Sequence, residues 1–320
     1  MTADRSDHPT AGLALAVAGG LGAAIGYAGT NMGLRYVSGL DPFFVSAMKA
    51  LPTVILAAPW IAAMVWRGQK LVPDRRLLGW MIVTALIGQL GGNVLFQLGL
   101  RHAGLALSVP INLGAMIIGG AVAGRTLLGE PITRKVVVAS CFLVAATAIL
   151  SWAPPPDQTG SAATRAMAVS GAPPTTGNMP LGLAANLISG IAYGALGVGL
   201  RYCLRGGLPT PVVIGTSTGI GLLVLGAIGL QQIGFSGLAA INHRQWIAMV
   251  IAGTLNAIAF VMLTHALKRL GVTVVNLLNA TQATLAAVAG VLMFAEPLTT
   301  QLTVGVCLTA FGLGVLSLRR

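Results

Sequence analysis

Ten long apolar blocks run along this sequence, and the short stretches between them hold most of its charge. The blocks cover residues 11–32, 43–66, 77–100, 104–126, 135–152, 181–204, 211–232, 246–267, 272–294 and 301–318. Each is about the length that an α-helix needs to cross the hydrocarbon core of a bilayer, and helices satisfy their own backbone there. Charged residues make up only 8% of the chain, against about 25% in soluble domains. We therefore predict an all-α integral membrane protein.

The two halves of the chain resemble each other at a constant spacing. Tyr27 and Tyr193 lie 166 positions apart, as do residues 33–36 and 199–202, which both read Gly-Leu-Arg-Tyr. At this spacing or one residue more, the sequence also matches Glu130-Pro131 with Glu296-Pro297, Thr133 with Thr299, Cys141 with Cys307, Gly104 with Gly271, and Asn112 with Asn279. Each copy holds five blocks, and because five is odd, the second copy must enter the bilayer from the opposite side. We predict ten transmembrane helices arranged as two inverted five-helix repeats.

A segment rich in Pro, Ser, Thr and Gly separates the two copies. It has almost no large apolar side chains, which is typical of a flexible linker. The predicted organisation is a first repeat over residues 1–152, a linker over 153–180 and a second, inverted repeat over 181–320. Residues 1–10 contain two acids, unlike the basic start of a cleaved signal, so we expect the first span to remain in the mature protein.

Lysine and arginine are distributed unevenly between the two sides that ten spans define. With a cytoplasmic N-terminus, fourteen of these residues lie on the inner side, and only Arg35, Arg101, Arg165 and Arg244 lie on the outer side. Such an excess is usual for cytoplasmic loops. We therefore expect both termini to be cytoplasmic and the chain to lie in the plasma membrane. Membrane orientation explains the net charge of +12, so we predict no nucleic-acid partner.

Polar side chains recur at helical spacing inside the predicted spans. Gln89, Asn93 and Gln97 form one stripe on the third span. Corresponding spans of the two halves carry Tyr27, Asn31 and Asn112 in the first and Tyr193, Asn276, Asn279 and Gln282 in the second. An unpartnered polar group costs a few kcal/mol in lipid. These residues therefore either line a hydrated path or hydrogen-bond neighbouring helices together. For Asn256, in the eighth span, we expect a structural role.

Lys49 is the one charged residue that falls well inside a predicted span. A lysine at the centre of a transmembrane helix costs about 2.5–3.5 kcal/mol on insertion scales, so a functional role is the default interpretation. A fixed positive charge suits an anionic or carboxylate-bearing substrate. The alternative is that the long side chain reaches out to the membrane interface.

Residue combinations that would indicate an enzyme or a metal site do not occur in the sequence. There is no paired-carboxylate site, no Ser/His/Asp arrangement, no nucleotide-binding loop and no cluster with metal-ligand spacing. All seven acids fall in tails, loops or span ends, so we expect no membrane-buried carboxylate. Cys141, Cys203 and Cys307 are interpreted as small buried hydrophobes. We predict that the protein is not an enzyme, has no catalytic residue and uses no metal or cofactor.

Several short motifs together resemble the drug/metabolite transporter superfamily. They are Asp41-Pro42 with a basic residue seven positions on, the run Leu98–Gly104 that reads LGLRHAG, and Leu127–Pro131, which reads LLGEP and is echoed at residues 294–297. The chain is most similar to the ten-helix EamA-like members, including those labelled multidrug resistance efflux transporters. It departs from the family at Met116 and Gln282, where many members carry proline.

This resemblance implies export of small organic metabolites or drugs across the cytoplasmic membrane, through a central cavity that opens to each side in turn. Helices one to four and six to nine would line the path. The expected substrate contacts are Lys49, Tyr27, Asn31, Gln89, Asn93, Gln97, Asn112, Tyr193, Asn276, Asn279 and Gln282. The expected partners are a small-molecule substrate and the lipid bilayer, and a homodimer is left open. The alternatives are a non-transporting membrane receptor or scaffold and a membrane-embedded lipid-modifying enzyme.

Overall fold

The computed structural model describes residues 9–72, 74–151, 178–285 and 300–317, and the structural statements below concern these residues. Their regular structure is entirely helical, which confirms the predicted all-α class. The helices are α1 Pro9–Tyr36, α2 Pro42–Trp66, α3 Arg75–Leu86, α4 Leu95–Leu128, α5 Arg134–Ser151, α6 Met179–Arg205, α7 Thr210–Ala240, α8 His243–Arg269, α9 Val272–Asn279 and α10 Thr300–Ser317. A π-helical segment, Ile87–Val94, joins α3 to α4.

Several helices begin at side chains that cap their first turn. The Asp41 carboxylate accepts a hydrogen bond from the Phe44 N–H at 2.8 Å, and Pro42 occupies the first turn of α2. Asn242 and Gln245 form a reciprocal capping box at the start of α8. Asn178 caps α6, so this helix begins within the last residues of the predicted linker. The rest of the linker, up to residue 177, lies outside the described residues.

Gly104 separates the third predicted span from the fourth. It lies within α4 at φ 76° and ψ 178°, a backbone conformation that glycine adopts without steric cost. The third span therefore consists of α3, the π-helical segment and the first residues of α4, and the fourth span follows Gly104. The boundary falls where the sequence predicts the fourth block to begin.

Within the described residues, seven helical segments are long and apolar enough to cross a bilayer. They are Gly12–Tyr36, Pro42–Trp66, Arg75–Leu105, Ile111–Leu128, Met179–Arg205, Thr210–Ala240 and His243–Arg269. This number supports a multi-pass membrane protein. The count of ten stays a prediction, since residues 286–299, where the ninth block continues, lie outside the described part of the chain. The placement of the two termini also stays a prediction.

Helices from the two halves of the chain pack against each other. These pairs include α1 with α8, α3 with α6, α2 with α7, α4 with α9, and α5 with α10. Each helix can be exchanged for its counterpart in the other half, which is five places later or earlier in the numbering. The pair α1 and α8 then becomes α6 and α3, which are also packed. The other three pairs are unchanged by the exchange. A two-fold relation between the halves would produce this arrangement.

Helices α4 and α6 approach each other at glycines. A Cβ atom added to Gly194 of α6 would lie 2.6 Å from the backbone nitrogen of Gly120 and 3.0 Å from the carbonyl oxygen of Met116, both in α4. Small residues allow such close backbone approach in membrane helices, where van der Waals packing drives association. Gly194 therefore determines how closely the first half of the chain packs against α6.

We expect Gly194→Ala to destabilise the protein by roughly 1–3 kcal/mol, because the added methyl group forces α4 and α6 apart. Thermal unfolding of the purified protein in detergent would measure this as a lower midpoint. Gly219→Ala is the matched control, since a Cβ there meets no atom within 4 Å. Equal midpoints for the two variants would contradict the proposed packing role.

Candidate functional site

A central cavity lies between the helices of the two halves. It offers about 120 Å³ in which the centre of a water molecule can lie, enough for several waters or a small solute. Its walls come from α1, α2, the π-helical segment, α4, α6, α7, α8, α9 and Gln282 just beyond α9. Within the described residues, α5 and α10 contribute nothing to the lining. The cavity is thus lined by the same spans, one to four and six to nine, that the resemblance implies for the substrate path.

Ten of the eleven predicted contact residues line this cavity. They are Tyr27, Asn31, Lys49, Gln89, Asn93, Asn112, Tyr193, Asn276, Asn279 and Gln282. Whether they bind a substrate stays a prediction, but the structure brings them together from both halves of the chain. Asn256, expected to be structural, also lines the cavity, as do Thr30, Ser217 and Thr218, which the sequence analysis did not single out.

Gln97 is the exception. Its side chain is buried away from the cavity lining and its Nε2 donates to the carbonyl oxygen of Leu34 in α1 at 3.3 Å. The stripe was predicted with the α-helical period, whereas residues Ile87–Val94 form a π-helix with wider turns. The change of period rotates Gln97 out of line with Gln89 and Asn93.

Asn93 is the centre of a hydrogen-bond network around Lys49. The Lys49 Nζ and the Tyr193 hydroxyl both donate to the Asn93 Oδ1. The Asn93 Nδ2 donates to the Gln89 Oε1, and the Gln89 Nε2 donates to the Ser217 carbonyl oxygen at 2.9 Å. One chain of hydrogen bonds therefore joins α2, the π-helical segment, α6 and α7. It also fixes the direction of the Lys49 side chain.

Lys49 has no acidic partner among the described residues. Both ion pairs found there involve Glu130, which pairs with Arg201 and Arg205. Lys49 is only 8% exposed, so little water screens its charge. Its neutral partner Asn93 supplies an oxygen dipole but no negative charge. When protonated, Lys49 therefore places a positive charge beside the cavity that an anionic group would neutralise.

Amide side chains on the α1 and α9 walls of the cavity form hydrogen bonds with one another and with the backbone of α4. The Asn31 Nδ2 donates to the Gln282 Oε1 at 3.2 Å, and the Gln282 Nε2 donates to the Asn279 Oδ1. The Asn276 Nδ2 donates to the Met116 carbonyl oxygen at 3.2 Å. These bonds join α1 and α4 to α9 and its continuation. The same amides therefore line the cavity and connect helices, and whether the cavity forms a hydrated path stays a prediction.

Asn112 connects α4 to α6 in a similar way. Its Nδ2 donates to the Ser189 Oγ at 2.8 Å, and the Ser189 Oγ donates to the Gly92 carbonyl oxygen at 2.7 Å. Nearby, the Asn186 Nδ2 donates to the Ser108 Oγ at 2.9 Å. These contacts form beside the close approach of α4 and α6. Asn112 therefore holds the cavity wall together as well as lining it.

Glu130 and Arg201 form a buried ion pair between the two halves of the chain. Glu130 lies just after α4, at a span end as expected, but other helices cover it. Glu130 is 9% exposed and Arg201 is 6% exposed. The Arg201 Nε donates to the Glu130 Oε1, and its Nη1 donates to the carbonyl oxygens of Leu267 and Leu270. The Glu130 Oε2 accepts from the Val272 N–H at 2.9 Å. We call Glu130 and Arg201 with these backbone partners the inter-half clamp.

The clamp joins the end of α4 to the ends of α6 and α8 and the start of α9. Glu130 sits between two apolar blocks, a position that predicts a loop between spans. Its burial arises from helices that are distant in sequence and that cover it. The corresponding Glu296 lies outside the described residues.

The cysteines also differ from their expected placement. Cys203 is buried, as expected, but Cys141 and Cys307 are exposed. They lie on α5 and α10, whose outer faces would contact lipid rather than protein. No group of three or more potential metal ligands occurs among the described residues.

Comparison with known proteins supports the resemblance noted above. Residues 180–318 match the sequence model of the EamA-like transporter family. This stretch spans α6 to α10, and the match agrees with the drug/metabolite transporter superfamily. The family is one of membrane transporters and not of enzymes. No curated protein sequence matches the chain.

The fold itself is shared with solved structures, of which 27 chains match. One crystal structure has a TM-score of 0.68 to this chain and covers 94% of it, while this chain covers 96% of that one. The two sequences are 19% identical. The similarity therefore concerns the fold alone, and it extends over both halves.

We expect Glu130→Gln to destabilise the protein by roughly 3 kcal/mol, because it leaves the buried Arg201 without a counter-charge. The unfolding midpoint of the purified protein would fall accordingly. Asp74→Asn is the matched control, since Asp74 is an exposed acid that caps α3 and Asn also caps helices. If Glu130→Gln were no more destabilising than Asp74→Asn, the clamp would have no structural role.

Proposed function

We propose that this chain, whose residues 180–318 match the EamA-like transporter family, is a transporter that exports small organic anions through the central cavity. The observation that carries the proposal is Lys49. Its charge is buried at the cavity and is neutralised by no acid in the described part of the chain. A substrate that brings a carboxylate or another anionic group supplies the missing negative charge.

The lining chemistry supports a small organic substrate rather than a bare ion. Amides from Asn31, Asn112, Asn256 and Asn276 surround the cavity and offer both donors and acceptors. Apolar and aromatic side chains, including Phe96 and Phe260, form much of the remaining wall. Binding sites of this type are mostly apolar, with a few polar groups that orient the ligand. We assign the anionic group to Lys49 and the rest of the substrate to this mixed surface.

We infer that transport occurs by alternating access between two inverted repeats. The helix pairs, which map onto one another when the halves are exchanged, support this arrangement. Rocking of one half against the other would then open each end of the cavity in turn. The inter-half clamp would hold one end closed in the conformation described here, because it joins α4 to α6, α8 and α9. The second conformation would require this clamp to separate.

The residues that line the cavity also indicate what drives transport. The residues that line the cavity include no carboxylate in the described part of the chain. The described lining therefore offers no carboxylic acid that could take up a proton in exchange for a substrate. We therefore favour exchange or facilitated diffusion over proton coupling. Plasma-membrane localisation with both termini in the cytoplasm completes the proposal.

We expect Lys49→Met to lower the flux of an organic anion by about tenfold, because the variant loses a charge-assisted contact. Uptake into proteoliposomes would be compared for a panel of organic anions, amino acids and organic cations. Lys49→Arg should retain a large part of the anion flux, since it keeps the positive charge. Transport of solutes without a net negative charge should fall less than that of anions.

The matched control is Lys70→Met, which removes an exposed lysine in the loop after α2. It should leave all fluxes unchanged. The proposal is wrong if Lys49→Met and Lys70→Met transport the panel equally well. It is also wrong if no member of the panel is transported by the wild-type protein, which would favour a receptor or scaffold.

A further inference from the structure

A second recess lies where α2 and α8 end and α7 begins. It has a volume of about 480 Å³ and shares no lining residue with the central cavity. The three helices all count among the segments long and apolar enough to cross a bilayer. Because the recess is formed at their ends, it lies at the level where hydrocarbon gives way to lipid headgroups.

Two basic side chains line the recess. Arg67 follows the last residue of α2, and Lys268 lies in the last turn of α8. Both are exposed, and neither forms an ion pair with an acid in the described part of the chain. The recess therefore carries two positive charges that the neighbouring protein does not neutralise.

The first turn of α7 adds hydrogen-bond donors to the same recess. The N–H groups of Thr210 and Val212 lie in this first turn, where no intrahelical acceptor is available. Pro209, at the N-cap, provides no side-chain cap for them either. The helix dipole favours negative charge at this end. Thr210 lines the recess, is only 4% exposed, and its Oγ1 has no hydrogen-bond partner. An oxygen-rich anion in the recess would accept hydrogen bonds from the free backbone donors.

The remaining walls are apolar and aromatic. Ala63, Met64 and the half-exposed Trp60 form the α2 side of the recess. Tryptophan is enriched where hydrocarbon meets headgroups, because its ring is amphipathic. Such a surface suits a ligand with an anionic head and an apolar body better than it suits a free ion.

We propose that this recess binds the phosphate of an anionic phospholipid between Arg67, Lys268 and the N-terminus of α7. The glycerol and upper acyl carbons would pack on the α2 side of the recess, beside Trp60. The bound lipid would bridge α2, α7 and α8, which belong to both halves of the chain. This proposal is independent of the transported substrate, since the recess is separate from the central cavity.

Native mass spectrometry of the full chain in detergent, titrated with phosphatidylglycerol or phosphatidylcholine, tests the proposal. The wild-type protein should retain phosphatidylglycerol more strongly than the zwitterionic lipid. Replacing both cations, Arg67→Gln with Lys268→Gln, should weaken phosphatidylglycerol binding about tenfold, given the usual contribution of basic residues near anionic headgroups. The single variants Arg67→Gln and Lys268→Gln should each weaken it by a smaller factor, and they provide the test if the double variant does not fold.

The matched control is Arg75→Gln with Arg76→Gln, two exposed arginines at the start of α3, outside the recess. This pair should bind phosphatidylglycerol as the wild type does. Equal losses in the two double variants would overturn the proposal, since general surface charge would then explain binding. Competition by inorganic phosphate, with no preference between the two lipids, would show a site for free anions and would also overturn it.

Discussion

The positive charge of Lys49 imposes a requirement on the structure around it. A lysine inside a helical bundle must hydrogen-bond to neighbouring groups, because the apolar surroundings cannot solvate it. Asn93 fulfils part of this requirement, and it does so through an oxygen that Tyr193 also uses. Asn93 is in turn oriented by Gln89, which is bonded to the backbone of α7. The network thus stabilises the lysine while leaving its net charge available at the cavity.

Close packing and polar contacts have separate roles in the bundle. Glycines such as Gly194 bring α4 and α6 together without polar groups. Amides and the inter-half clamp then connect elements that are distant in sequence, including α4 with the start of α9. A clamp of two opposite charges can separate when each charge finds water, whereas the glycine contacts cannot loosen without opening voids. We therefore propose that the clamp, rather than the glycine interface, is the contact that separates during transport.

Much of the candidate site could be predicted from the sequence, because helical spacing and the internal repeat both restrict where polar residues face. Asn112 and Asn279 occupy related positions in the repeat and both line the cavity. Gln97 was misplaced because the π-helical segment alters the local period, which the residue pattern alone did not indicate. The burial of Glu130 also escaped prediction, since it depends on how helices from the two halves pack. Arg35 and Arg201 recur at the same spacing as Glu130 and Glu296. This shared spacing could have suggested that an arginine and a glutamate of the repeat form an ion pair.

The most direct test of a path through the cavity is two-sided chemical access. Ala50 lines the cavity beside Lys49, and a cysteine there can be introduced after Cys141, Cys203 and Cys307 are replaced by alanine. An anionic, membrane-impermeant thiol reagent would be added to one side of proteoliposomes at a time, and labelling of the cysteine measured. Alternating access predicts labelling from either side. Labelling from one side only, or from neither, would contradict it.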